Sequence, residues 1–367
     1  MDQARTYHRR RLTLAAASLL TTAAVLAIGA WATAYGLRPP VPRRWPELAL
    51  IILIEATVLG VALQVATAPL VFLAGYRLPR RFGLLHQPLS RWLLDRAKAT
   101  AIRALLALVG FEIMYALLWT TPLWWLAAAA VFFAGHVLYA AVAPIWLMPL
   151  FYRLTPLENA ALRERLVALA ARAGVPVVGV WVGDQSRKSR TANGTVTGIG
   201  RTRRIVLWDT LLTRFTPDEI EFVLAHELGH HVHGDVRRGL LFRGVLTLAT
   251  FWVADRLLRA GAVRWGLGGI ADPAGLPWLA LMLLALGLIT APLANAFSRR
   301  IECQADDFAL ATTRNVPAFV GAIDRLASLN LAERRPNRLE ELFLYTHPAI
   351  DRRLARHASP APGGASR

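Results

Sequence analysis

Six runs of about 20 apolar residues decide what this chain can become, because each can cross roughly 30 Å of hydrocarbon as a helix. They fall at 12–35, 49–75, 99–119, 122–148, 239–258 and 277–297 of the 367 residues. The chain therefore reads as a mainly α polytopic membrane protein. Its composition agrees: 55% of residues are hydrophobic and 18% charged, against about 25% charged in an average soluble domain. A soluble enzyme and a disordered chain are both excluded. The first run follows Arg9, Arg10 and Arg11, and Ala30-Trp31-Ala32 loosely imitates a cleavage site. Its apolar core outlasts the ~7–15 residues of a signal-peptide core, so we read a retained anchor.

The formal net charge is +18, and the arginines cluster beside the apolar runs as membrane-flanking charges do. No basic stripe is interleaved with aromatics, so no nucleic-acid partner is expected. Arg5 and Arg9–Arg11, the basic segment 76–98, and Arg299-Arg300 fall on one side if the chain crosses six times. Both termini and the polar stretch 149–238 are then cytoplasmic. Lysine occurs only at Lys98 and Lys188, and this arginine bias, with the abundant Ala, Gly and Pro, suggests a GC-rich bacterial genome, so the membrane is read as a bacterial cytoplasmic one. Cys303 is the single cysteine, which rules out an intrachain disulfide or a cysteine metal site. Glu55, Glu112, His136 and Arg243 interrupt the runs and read as interhelical hydrogen-bonding or snorkelling groups.

Five stretches follow from this plan: a four-span region 1–148, a first polar block 149–238, two spans in 239–297, a second block 298–357 and a disordered tail 358–367. Thr155-Pro156-Leu157-Glu158 and Thr216-Pro217-Asp218-Glu219 have the form of capping boxes with proline at the first helical position, so helices are predicted from both. Strands are predicted over 177–182, 195–199 and 204–208.

The second of those helices carries His226-Glu227-Leu228-Gly229-His230. Histidines at i and i+4 share one helical face and can reach a single zinc ion, with Glu227 beside them to take a proton from water. Ala225 and Gly229 are small enough to admit another element against the helix. A third histidine six residues after His230 would be at position 236, which is Val236. His231 and His233 read as ordinary polar residues at the helix end. Glu302, just past the sixth run, is the best third ligand because it returns to the same membrane side; alone it would read as a solvated charge. Asp306 lies one turn on and could orient a ligating histidine. Cys303 projects away from Glu302 and reads as packing.

These residues sit in a wider pattern. Phe82-Gly83-Leu84 with Trp92, Asp95 and Lys98, Pro149-Leu150-Phe151, Thr155–Glu158, Ser186-Arg187-Lys188-Ser189 leading to Asn193, the run 204–212, HExxH, Glu302–Asp306, and His347-Pro348 with Arg353 follow in order. From about Phe82 to Leu354 the sequence resembles the Ste24-type CAAX prenyl proteases, integral-membrane zinc metallopeptidases of the M48 clan. The resemblance implies a gluzincin-type α+β catalytic domain at the cytoplasmic face and one catalytic zinc on His226, His230 and Glu302. It further implies Glu227 as base, Asp306 in support, and His347 and Arg353 at the oxyanion. Asn193, Gly194 and Thr195 would bind the substrate, a peptide or membrane protein. The family strand usually reads Ser-Asn-Ala-Tyr, whereas this one reads Ala192-Asn193-Gly194-Thr195. Two other readings stand beside this one: an HtpX-like membrane-protein quality-control protease, and a catalytically inactive membrane scaffold.

Overall fold

The structure, a computed structural model, describes residues 2–198 and 200–358. Beyond Ala358, the tail expected to be disordered lies outside the described residues. The membrane part opens with four long helices: α1 (Asp2–Tyr35), α2 (Trp45–Phe72), α4 (Leu89–Thr120) and α5 (Trp124–Val142), with a short α3 (Leu78–Arg81) after α2. Pro46, in the first turn of α2, costs no helical hydrogen bond there. A π-helical turn, Leu73–Arg77, carries α2 into α3.

Among the described residues, five helices are long and apolar enough to cross a membrane, four of them within residues 3–150 and the fifth at Pro273–Thr313. The expected span at 239–258 is the exception. It forms part of α9 (Asp235–Arg264), but Arg243, Asp255 and Arg256 interrupt its apolar run. Asp255 belongs to the bundle's own packing, whereas Arg243 and Arg256 are exposed. Asp255 is buried and accepts hydrogen bonds from Trp124 Nε1 at 2.7 Å and Arg259 Nε at 3.0 Å. A paired charge of this kind faces the bundle interior rather than lipid, and here it pins α9 to α5. Leu48, Ile52, Tyr115, Leu276 and Leu279 close the same core. The interhelical bonds expected for Glu55 and Glu112 are not all made: one carboxylate oxygen on each is buried with no hydrogen-bond partner among the described residues.

The polar blocks fold into one α+β unit. Its sheet has four strands among the described residues: β1 (Leu154–Pro156), β2 (Val180–Gly183), β3 (Gly194–Thr197) and β4 (Arg204–Trp208), in the order β1-β2-β4-β3. β2 and β4 run parallel, and the other pairings are antiparallel. β3 is therefore an edge strand. The last residue of its expected range, position 199, lies outside the described residues, and β2 begins three residues later than predicted.

The first predicted capping box is corrected. Thr155 pairs with Val182 in β1, and α6 (Ala160–Arg172) starts after Asn159, whose side chain accepts the Leu162 amide at 3.0 Å. The second forms as predicted. After α7 (Asp209–Arg214), Thr216 and Glu219 cap α8 (Pro217–Val232) reciprocally, with Pro217 in the first turn. α8 lies between the sheet and α10 (Leu276–Thr313), followed by α11 (Val316–Leu329), α12 (Arg338–Leu344) and α13 (Ile350–Ala358). Leu166, Leu169, Ile205, Leu207, Ile220, Leu224 and Phe319 fill the core around it. As expected, the small face of α8 admits α10: a Cβ on Gly229 would approach Ala305 Cα to 3.2 Å.

Candidate active site

Two helices build the site. α8 presents His226 and His230 with ring centroids 4.9 Å apart and planes at 90°. α10 runs from the apolar segment into the peptidase unit without a break, so Glu302 and Asp306 leave it one turn apart, both buried against α8. Glu302 Oε2 lies 3.2 Å from His226 Nε2, and its Oε1 lies 3.6 Å from His230 Nε2. One donor atom from each of the three residues falls within 4.8 Å of the other two.

The other ring nitrogens explain the aim. His226 Nδ1–H donates to Asp306 Oδ1 at 2.9 Å, and His230 Nδ1–H donates to Asp235 Oδ2 at 3.0 Å. These carboxylates hold the Nδ1 side of each ring, so both Nε2 atoms face Glu302. Glu302 Oε2 is itself buried without a hydrogen-bond donor. A buried carboxylate oxygen in that position is costly unless a cation shares the space, so the donor set fits a metal ion.

Asp235 was not anticipated from the sequence. It follows Gly234, whose φ of +66° is a left-handed conformation open to glycine; that turn ends α8 and swings the next residue back toward His230. Asp235→Ala is expected to weaken metal binding by roughly 10–100-fold while leaving the three ligands in place, as read by competition with a chelating dye.

Arg353, from α13, grips Asp306 with two bonds, Nε to Oδ2 at 2.8 Å and Nη2 to Oδ1 at 2.6 Å. His347 Nε2 reaches within 3.3 Å of Glu302 Oε2, although its side chain is 57% exposed. Burial pushes the Glu227 carboxyl above its usual range, against the opposing pull of His226 and His230. Burial alone would lower the His226 imidazolium, but the Asp306 and Glu302 carboxylates beside its two nitrogens outweigh it and hold the group at about 9.

Beside Glu227 and His230 opens a cavity of about 400 Å³, lined by Val236, Leu240, Phe297 and Ile301 among others. His136 and Arg243, which the sequence reads as interhelical hydrogen-bonding or snorkelling groups, also line it. The strand segment lies nearby. Asn193 is exposed, its Oδ1 accepts the Gly194 amide at 2.9 Å, and its carbonyl accepts the Trp208 amide. A Cβ on Gly194 would meet Leu207 Cδ2 at 3.1 Å and Val223 Cγ1 at 3.4 Å, which accounts for glycine there. His231 is half-buried rather than a surface residue: its Nε2–H donates to the Val196 carbonyl at 3.1 Å and ties α8 to β3. His233 packs edge-on against Phe308, and Cys303 is a free, partly buried thiol.

Residues 156–360 match the profile described as "Peptidase family M48". The chain belongs to peptidase family M48. Residues 1–153 match a second M48-associated profile, "CAAX prenyl protease N-terminal, five membrane helices"; four candidate spans fall in that stretch here. The uncharacterized metalloprotease YhfN of Bacillus subtilis is 31% identical over 306 residues, 82% of this chain and 71% of that protein. CAAX prenyl protease 1 of Saccharomyces cerevisiae is 29% identical over 78% of this chain and 67% of that one. The crystal structure of S. mikatae Ste24p superimposes with a TM-score of 0.76 at 23% identity, covering 96% of this chain and 87% of that one, which shows a shared fold. The protein is thus a multi-pass membrane metallopeptidase of the M48 family, similar to the CAAX prenyl proteases, and the HtpX-like alternative is not favoured.

Proposed function

We propose that this protein is a zinc endopeptidase that cuts peptides delivered from the membrane, its active site on the cytoplasmic side. The carrying observation is the convergence of His226 Nε2, His230 Nε2 and the donor-less Glu302 oxygen. Two imidazoles and one carboxylate, with no thiolate, are a donor set of catalytic zinc sites that leaves a fourth position open. When bound, zinc supplies a Lewis acid that polarises the scissile carbonyl and acidifies water.

The protein's own groups do the rest. Glu227 takes the proton of the attacking water and delivers it to the leaving amine, a task its raised proton affinity suits. His347, beside Glu302 and 57% exposed, donates to the developing oxyanion in this reading. The resemblance gave Arg353 the same task. Its two-pronged hold on Asp306 supports a different one, fixing the carboxylate that orients His226. The free edge of β3, from Asn193 through Thr195, receives the substrate as an added strand. The apolar lining beside Glu227 supports a peptide with an apolar flank. Arginines at the α1 start and over 77–81 support the cytoplasmic placement.

The test is metal removal. A chelator should abolish cleavage of a transmembrane peptide by the purified protein, and about one equivalent of zinc should restore it. Protons compete with the metal for His226. With its imidazolium held at about 9, metal binding below that pH must displace a proton. Apparent affinity should therefore fall by roughly tenfold per unit of acidification and level off above it. Full activity after exhaustive chelation would refute the metallopeptidase mechanism.

A further inference from the structure

A second and larger cavity, about 860 Å³, lies between the first turns of α1 and the far end of α2. Arg9 and Arg10 enter it from α1, and Arg77, Arg80 and Arg81 from the π turn and α3; no carboxylate among the described residues lines it. Arg80 is held by the protein, donating to the Tyr76 hydroxyl at 2.8 Å and to the Gln87 carbonyl at 3.2 Å. Arg9, Arg10, Arg77 and Arg81 are exposed, and their side chains make no ion pair or hydrogen bond among the described residues. Four unpaired guanidinium groups around one volume repel each other, and an anion there would remove that cost.

Apart from Thr13, the rest of the lining is mainly apolar: Leu14, Phe72, Leu73, Tyr76 and Leu78. Phe72 and Tyr76 stack at 5.5 Å with their planes 18° apart. Cationic and apolar parts thus sit side by side where two candidate membrane helices, Gln3–Tyr35 and Trp45–Arg81, come to an end. The volume falls in the range of about 300–1,000 Å³ that encloses drug-sized ligands. A free phosphate would leave the apolar wall uncovered. A zwitterionic lipid would bring its own cation against the arginines. One common molecule carries an anionic phosphate joined to hydrocarbon at this depth.

We propose that this groove binds an anionic phospholipid, with its headgroup phosphate on Arg9, Arg10, Arg77 and Arg81 and an acyl chain along Leu14, Phe72 and Leu73. Guanidinium forks match phosphate oxygens in pairs, and basic pockets between membrane helices take such headgroups. The π turn supports the site locally: its Gly75 leaves room for Trp92, whose ring would meet an added Cβ at 3.2 Å, and such turns recur at functional positions.

The test uses the full-length protein in neutral detergent, titrated with dioctanoyl phosphatidylglycerol, dioctanoyl phosphatidylcholine or inorganic phosphate and read by native mass spectrometry. The expected result is saturable binding of the glycerol lipid, at least about tenfold tighter than either other probe. The combined variant Arg9→Gln, Arg10→Gln, Arg77→Gln, Arg81→Gln should lose roughly tenfold or more of that affinity. The single variant Arg77→Gln should weaken it in the same direction, which guards against misfolding of the combined variant. Arg43→Gln with Arg44→Gln, exposed arginines at the opposite end of α2, should change nothing. Equal binding of the two lipids overturns the proposal, as does unchanged binding by both groove variants. Phosphate that competes as well as the glycerol lipid overturns it in favour of a free-anion site. An equal loss in the Arg43 and Arg44 variant overturns it in favour of diffuse charge.

Discussion

Glu302→Ala is expected to strip the metal from the protein and reduce peptide cleavage to background. Among the described residues, His226, His230 and Glu302 form the one group of side chains close enough to share a metal, and the carboxylate faces both Nε2 atoms, at 3.2 Å and 3.6 Å. Two imidazoles alone leave a catalytic zinc short of its third protein ligand. The affinity loss should exceed the roughly 10–100-fold that losing a supporting carboxylate costs. The substitution also removes a buried oxygen that lacks a donor, so the fold should persist. Two measurements separate metal loss from collapse. Metal analysis of the purified variant should show none bound, and its thermal midpoint should be unmoved by zinc. The wild type should gain stability with zinc, because a ligand that binds only the folded state stabilises it. A Glu302→Ala protein with full metal and full activity would remove Glu302 from the site. His347 would then be the next ligand to test, since its Nε2 lies 3.3 Å from the vacated carboxylate position, whereas His233 is packed against Phe308.

The sequence made this site legible in proportion to how local each residue's geometry is. His226 and His230 share one helix, and the helical period alone brings them together. Glu302 lies far along the chain, and only the count of membrane crossings put it on the same side; α10 passing unbroken from membrane to peptidase unit then delivers it. Asp235 depends on a left-handed turn at Gly234, which spacing does not reveal. The pairing of Arg353 with Asp306 depends on how α13 docks, and no local pattern encodes that. Local signals could also be overruled. Thr155-Pro156-Leu157-Glu158 and Thr216-Pro217-Asp218-Glu219 share their capping residues, yet only the second starts a helix. At the first, residues 154–156 pair with β2 and Asn159 supplies a cap four residues later. The apolar runs were legible because lipid demands length and little else. The run at 239–258 diverged because Asp255 there serves a bundle contact with Trp124.

Glu227→Gln is expected to keep the metal and lose turnover by on the order of 10²–10⁴, the usual contribution of a positioned general acid–base group. Glu227 stands outside the converging set of His226, His230 and Glu302, and glutamine preserves its size, so metal content should match the wild type. What disappears is the site that accepts a proton from water and returns it to the amine. The pH profile should show the same group at work. Burial raises the Glu227 carboxyl above its ordinary range, and the base form is the one required. Wild-type kcat/KM should therefore rise with pH through that raised value, and the residual activity of Glu227→Gln should lack this acid limb. Glu302→Ala fails by losing the ion; Glu227→Gln fails with the ion in place. If Glu227→Gln cleaves the peptide at the wild-type rate while holding the same metal, proton transfer belongs to another group and the general-base assignment is lost.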